Sequence, residues 1–325
     1  MKILVTGAAG FIGSHACERL LAGGHSVVGV DCFDGAYSKK RKRRNIKACQ
    51  ENPNFKLVEG DYGDRLSMTQ VLKADACDAV LHLAGQPDLR LSVYDPVKYE
   101  RGNVGNLIPF FEALRECGPR NIVLASSSAV YGPEHRTPWR EDMLCMSSLT
   151  PYGASLRAAE IFLSTYAGLY GFKGIVLRIF TVYGPRQRPD MAAASFARGL
   201  LSGEAIPIYG GAPTSRDLTY VSDIVSGIEA ALLSGFKQDY AVYNLGSGTA
   251  VETLALLKTL EEMTGKKATL DHQQALGEMP LTLADISKAR AELGYEPKVS
   301  LREGLEQLLD WTRADLVAEP PEAKK

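Results

Sequence analysis

Gly7-Ala8-Ala9-Gly10-Phe11-Ile12-Gly13 stands directly after the apolar run Ile3-Leu4-Val5 and opens a stretch of helical spacing, Ile12–Ala22. Glycines placed this way permit a tight turn, and the start of the following helix turns its NH groups toward an anion such as a pyrophosphate. The second apolar run, Val27-Val28-Gly29-Val30, ends in Asp31. A carboxylate at that point accepts hydrogen bonds from an adenosine ribose and repels a 2′-phosphate. Strand, glycine turn, helix and terminal acid together predict a dinucleotide pocket suited to NAD rather than NADP. Asp61-Tyr62, after the next apolar run, sits where dinucleotide folds of this kind contact adenine, an expectation that spacing alone does not establish.

The same alternation continues outward. Phe55-Lys56-Leu57-Val58, Ala79-Val80-Leu81, Ile122-Val123-Leu124 and Ile175-Val176-Leu177 are short apolar runs, and the helical patterns Leu66–Leu72, Val97–Cys117 and Tyr152–Tyr170 lie among them. Near-continuous apolar strands separated by helices predict a parallel sheet covered on both faces. With right-handed crossovers this is an α/β chain with a Rossmann-like doubly wound sheet. After Ile179 the pattern loosens at Gly184-Pro185, Arg188-Pro189 and Gly210-Gly211-Ala212-Pro213, as in loops that carry binding residues. Val221–Leu233, Thr253–Thr264, Ile286–Leu293 and Leu301–Arg313 read as helices and Ala241-Val242-Tyr243 as a strand. The expected division is a nucleotide-binding domain of residues 1–178 plus 218–247. A smaller, discontinuous carboxyl-terminal substrate domain takes 179–217 and 248–318, ahead of a frayed tail at 319–325. The basic run Lys39–Arg44 reads as a solvated loop or helix face.

Composition narrows the class of function. Of 325 residues, 45% are hydrophobic and 23% charged, which excludes a disordered or fibrous chain. A formal charge of −1 supplies no global field for nucleic acid. No apolar stretch reaches the roughly 18 residues of a membrane span, and Met1–Val5 is too short for a signal peptide. The expectation is a soluble, cytoplasmic protein without nucleic-acid or membrane partners. Six cysteines lie apart without a CxxC pair and five histidines are isolated, so neither a disulfide framework nor a metal site is expected.

The GxxGxxG spacing resembles the extended short-chain dehydrogenase/reductase family, and further segments match in order across nearly the whole chain. Leu81-His82-Leu83-Ala84-Gly85-Gln86 resembles the segment under the nicotinamide ribose, and Asn103 matches the family's helix asparagine. Ala125-Ser126-Ser127-Ser128-Ala129-Val130-Tyr131-Gly132 resembles the segment with the catalytic Ser or Thr, which falls on Ser127 with Ser128 beside it. Pro151-Tyr152-Gly153-Ala154-Ser155 supplies the family tyrosine. The resemblance therefore implies NAD as cofactor, held by Gly7, Gly10, Phe11, Ile12, Gly13, Asp31, Asp61, Tyr62, Leu83, Ala84, Gly85, Gln86, Asn103 and Tyr152.

Within that family the chain is most similar to nucleotide-sugar 4-epimerases, those of UDP-glucuronate first and UDP-glucose next. Leu177 to Pro185, followed by Arg188-Pro189-Asp190-Met191-Ala192, implies that Thr181 and Arg188 lie near a sugar carboxylate. Arg216 in Arg216-Asp217-Leu218-Thr219-Tyr220-Val221 is implied to meet the diphosphate, where a guanidinium offers paired donors. Arg90 and Ser128 complete the implied substrate side, whereas Arg178 reads as a structural ion-pair residue. A homodimer joined through the two long helices is also implied.

The implied reaction removes a proton and a hydride at the sugar C4, forms a 4-keto sugar, and returns hydride to the opposite face. Tyr152 is the implied proton acceptor, assisted by Ser127. Related 4,6-dehydratases carry an Asp-Glu pair after the catalytic Thr, and related decarboxylases a Glu at the position of Ala129. Ser128-Ala129 can do neither task. One position departs from the pattern: the lysine expected four residues after the tyrosine is Leu156. A free phenol is only about one part in a thousand ionised at pH 7, and bringing its pKa to neutrality takes roughly 4 kcal/mol. Arg157 is a poor substitute, because one helical step turns a side chain by about 100°. Three readings stay open: a slow or alkaline-shifted epimerase, one with a replacement base, or an inactive relative. An NAD-binding regulatory protein is the alternative from another class.

Overall fold

Ile3, Leu4, Val5, Val27, Val80, Leu81, Ile122 and Val123 are all shut off from solvent, as strands buried on both faces of a parallel sheet must be. They belong to β1 (Lys2–Thr6), β2 (Ser26–Asp31), β4 (Ala79–His82) and β5 (Asn121–Ser127); β6 (Lys173–Ile179) is buried likewise, and β3 (Phe55–Glu59), at the sheet edge, is half-buried to exposed. β7 (Thr181–Tyr183), β8 (Ile206–Tyr209), β9 (Ser215–Tyr220), β10 (Tyr240–Leu245), β11 (Ala250–Glu252) and β12 (Leu270–Gln273) follow. The computed structural model describes residues 1–34, 38–134, 136–209, 214–274, 277 and 279–318.

Seven strands form one sheet in the order β10-β6-β5-β4-β1-β2-β3. Every pairing in it is parallel. Alternation along a strand feeds two cores: Ile3 and Val5 enter one, and Leu4 between them enters the other. The order reverses between β4 and β1, so a crevice opens beyond their carboxyl ends, where such sheets bind ligands. All seven apolar runs named above lie in this sheet, the expected doubly wound architecture.

The second half builds two small sheets, β11-β9-β7 and β12-β8. Only the β10 segment was legible as a strand in this region. β7 has three residues, β8 contains Pro207, and all four residues of β12 are exposed, so none carries a strong periodic signal. Gly210–Pro213 and the 319–325 tail lie outside the described residues.

Two expectations need correction. The helix expected over Val97–Cys117 is interrupted: Pro96–Glu100 passes into a π-helical turn, Arg101–Gly105, before Leu107–Cys117 resumes. Gly102 and Gly105 weaken helical propensity there, and the wide turn directs Asn103 inward. The basic run is not a solvated face throughout. It starts the helix Lys39–Gln50, capped by Ser38, and both Arg41 and Lys42 are buried. Arg41 pairs with Asp315 near the other end of the chain, and Lys42 with Asp31.

Candidate active site

At the carboxyl edge of the sheet lies a cavity of about 600 Å³, and every site residue named above lines it, from Gly7 to Arg216. Separate segments deliver them: the turn after β1, the ends of β2 and β4, the π turn, the end of β5, the helix Pro151–Tyr170, and β7 and β9.

The dinucleotide end is shaped by close backbone approach. Gly7 has φ +71°, and a Cβ on it would sit 2.9 Å from the Ala84 nitrogen. A Cβ on Gly13 would lie 2.1 Å from the Gly7 carbonyl oxygen. Only glycine leaves both the turn and the first helical turn open for a pyrophosphate. Asp31 Oδ2 accepts from Ala9 NH at 3.0 Å, and Oδ1 accepts from Phe33 NH at 2.8 Å and Lys42 Nζ at 2.9 Å. Its charge is thus shared with an ammonium that sequence reading missed, because the inward turn of Lys42 depends on the helix phase. The Tyr62 ring packs edge-on against His82 and Phe110 and its hydroxyl donates to Gly102 O, so that side chain serves the core. Asp61 accepts from Asn106 and Gly63. Asn103 Oδ1 accepts Gln86 NH at 2.6 Å, while Nδ2 donates to Gln86 O at 3.2 Å and Ser155 Oγ at 2.9 Å.

At the reactive end Ser127 closes β5 and caps the 3₁₀ turn Ser128–Tyr131, accepting Ala129 NH at 3.2 Å. Tyr152 stands in the first turn of Pro151–Tyr170, which Thr150 caps. Burial pushes the Tyr152 phenol above its ordinary range, and Asp88 adds to that; the Ser127 hydroxyl and the Arg188 charge pull the other way. The Tyr99 ring meets it edge-on at 6.2 Å, its own phenol pushed up to about 12, chiefly by burial. Leu156 lines the cavity and packs on the main core, bringing no charge. Arg157 turns to Glu160, which also receives both guanidinium arms of Arg178 at 3.0 and 2.9 Å. That pair is structural, as Arg178 was read.

The cavity's other end holds cations in an acidic frame. Arg188 Nη2 donates to Asp88 at 3.1 Å and to Asp190 at 2.5 Å, and its Nε to Asp190 at 3.1 Å. Arg90 lies 3.8 Å over the Tyr209 ring and donates to Asp190 O. Arg216 is anchored by the Met279 carbonyl at 2.6 Å. Thr181 opens β7 against Leu218, and Ser128 sits beside Ser127. Asp88 gave no signal in the sequence; Asp190 lay in a quoted segment without an assigned task. Among the described residues no cluster of metal-ligating side chains occurs, and no helix is long and apolar enough to cross a membrane.

Comparison with known proteins follows this geometry. Residues 3–246 match the NAD dependent epimerase/dehydratase family. The UDP-glucuronate 4-epimerase of Thermodesulfobacterium geofontis is 34% identical over 315 residues, covering 96% of each chain. The crystal structure of UDP-glucuronic acid 4-epimerase from Bacillus cereus, with UDP-glucuronic acid and NAD, is 36% identical. It aligns with TM-score 0.91 over 97% of this chain and 99% of that one. UDP-glucose 4-epimerase from Thermotoga maritima, solved with UDP-glucose, is 32% identical with TM-score 0.87, over 97% of this chain and all of that one (100%).

Proposed function

The chain belongs to the NAD dependent epimerase/dehydratase family, and from that membership and the cavity we propose NAD-dependent 4-epimerisation of a UDP-sugar, UDP-glucuronate first and UDP-glucose or galactose next. The observation that carries this reading is the meeting of Ser127, Tyr152, Thr181, Arg188 and Arg216 in one cavity with the glycine turn. The resemblance to UDP-sugar 4-epimerases over almost the whole chain supports it.

NAD is the cofactor, and the glycine cradle closed to any Cβ fits it. When bound it supplies the reversible hydride acceptance that the sugar C4 requires. Gly7–Gly13 would hold the pyrophosphate and Asp31 the adenosine ribose. Tyr152 takes the proton of the 4-hydroxyl, and Ser127, whose hydroxyl favours the phenolate, steadies the phenol oxygen. Arg216, fixed by Met279, meets the diphosphate. Ser128, Thr181, Arg90 and Arg188 face the sugar. With no ammonium at 156 and the phenol raised by burial, proton abstraction is slow at neutral pH.

A homodimer through the helices around Val97 and Ile161 is part of this reading, supported by exposed apolar side chains at Tyr94 (78%), Val97 (72%), Ile161 (52%) and Leu169 (68%). The free thiols among the described residues support a cytoplasmic setting. The test is incubation of the purified, NAD-loaded protein with UDP-glucuronate and with UDP-glucose at several pH values. Formation of the C4 epimer of either sugar supports the reading. Binding of NAD without epimer formation at any pH favours a regulatory protein instead.

A further inference from the structure

The sugar end of the cavity contains a carboxylate that 4-epimerisation does not require. Asp88 Oδ1 accepts Arg90 NH at 2.8 Å and Leu91 NH at 2.9 Å, and Oδ2 receives Arg188 Nη2 at 3.1 Å. The side chain is only 7% exposed, and the residue's φ is +115°, a backbone region that L side chains rarely occupy. The carboxylate is therefore fixed in place by its own turn and aimed at the guanidinium.

A guanidinium grips a carboxylate best through two parallel donors. In Arg188 the fork formed by Nε and Nη2 is already engaged by Asp190, and Nη2 serves Asp88 as well. One cation between two carboxylates leaves the trio with a net negative formal charge. An incoming uronate must compete with these internal carboxylates, whereas a neutral hexose meets no such competition. The turn itself does not demand an anion: an asparagine oxygen accepts the same NH bonds and tolerates positive φ.

We propose that Asp88 is a specificity-determining residue, its carboxylate standing on Arg188 in the place of a uronate carboxylate and so admitting neutral UDP-hexoses alongside UDP-uronates. This rests on the epimerase reading above. Calorimetric dissociation constants of UDP-glucuronate and UDP-glucose on the NAD-loaded protein test it without relying on turnover. The unaltered protein should favour the uronate by less than about tenfold; in Asp88→Asn the ratio should move toward the uronate by roughly tenfold, the scale of a charge removed from a desolvated pair. Asp88→Gly, which suits the backbone angle and also lacks the charge, should move it the same way. A strong uronate preference in the unaltered protein overturns the inference, as does an unchanged ratio in a variant that still binds NAD. In either case both sugars bind and the epimerase reading survives. If neither sugar binds any of these proteins while NAD does, that reading falls and the inference falls with it.

Discussion

Asn103 Nδ2 donates to Ser155 Oγ at 2.9 Å, and Ser155 Oγ in turn donates to the Tyr152 carbonyl at 2.8 Å. The π-helical turn is thereby tied to the first turn of the helix that carries Tyr152. The same amide holds Gln86 through both its NH and its carbonyl, so one buried side chain aligns the β4 exit with the reactive helix.

Asn103→Ala should therefore act on both stability and cofactor binding. It strands the Gln86 NH and takes away the bond that Ser155 Oγ accepts, a loss of about 1–3 kcal/mol where a group is left unpaired. Denaturant titration should show the lost stability, and NAD titration a weaker affinity. Asn103→Asp keeps the acceptor for Gln86 NH and should fall between the two. Unchanged NAD affinity in a folded Asn103→Ala protein would mean that the Gln86 segment is positioned by other contacts.

Glu160 gives a second stability test. It is fully buried, receives Ser126 Oγ at 2.6 Å, and binds Arg178, itself 2% exposed, through two bonds. Glu160→Ala leaves a buried cation without its main partner, a loss of about 3–5 kcal/mol. Replacing both residues with apolar ones of similar volume should recover much of that loss. Thermal or chemical unfolding of the single and double variants checks both statements. A double variant no better than Glu160→Ala would assign the loss to packing rather than charge.

The fold was legible because buried parallel strands must be short and apolar on both faces, and Ile3–Val5, Val27–Val30 and Ile122–Leu124 read that way without help. The glycine turn was legible because its demands are local. The residues quoted for the site come from separate segments and still reach one cavity, because the parallel sheet ends its strands on a common edge. Asp88 was not legible: its meaning lies in a contact with Arg188 a hundred positions away, and nothing local marks it. Lys42 was hidden for a related reason. A run of basic residues looks solvated until the helix phase shows which members turn inward.

Asp31 and Lys42 should together set the cofactor preference. The carboxylate disfavours a 2′-phosphate, but the ammonium at 2.9 Å offsets part of its field. NAD should bind more tightly than NADP, and Lys42→Met should widen that gap while Asp31→Asn narrows it, each by roughly tenfold for a charge change of this kind. Fluorescence titration of the reduced cofactors measures the ratios. Equal affinities in the unaltered protein would remove Asp31 from the role given to it.

Leu156 should set the pH at which the enzyme works. Burial raises the Tyr152 pKa in the folded protein, and the base is active only as phenolate. Activity is therefore small below the raised pKa and climbs as pH rises through it, so the unaltered protein should gain rate well above pH 8, counted from an ordinary phenol near 10. Leu156→Lys puts an ammonium one helical turn from Tyr152 on the same face. A positive neighbour favours the phenolate, lowers its pKa and moves the profile toward neutrality. The gain at pH 7 should be roughly 100-fold, equivalent to about 3 kcal/mol at the transition state. Leu156 packs on the core, so the lysine stem also has to keep that contact, and Leu156→Met serves as the control for packing alone. The measurement is the pH–rate profile of the three proteins on one UDP-sugar. A fast unaltered enzyme at pH 7, with the lysine variant no better, would show that another group takes the 4-hydroxyl proton.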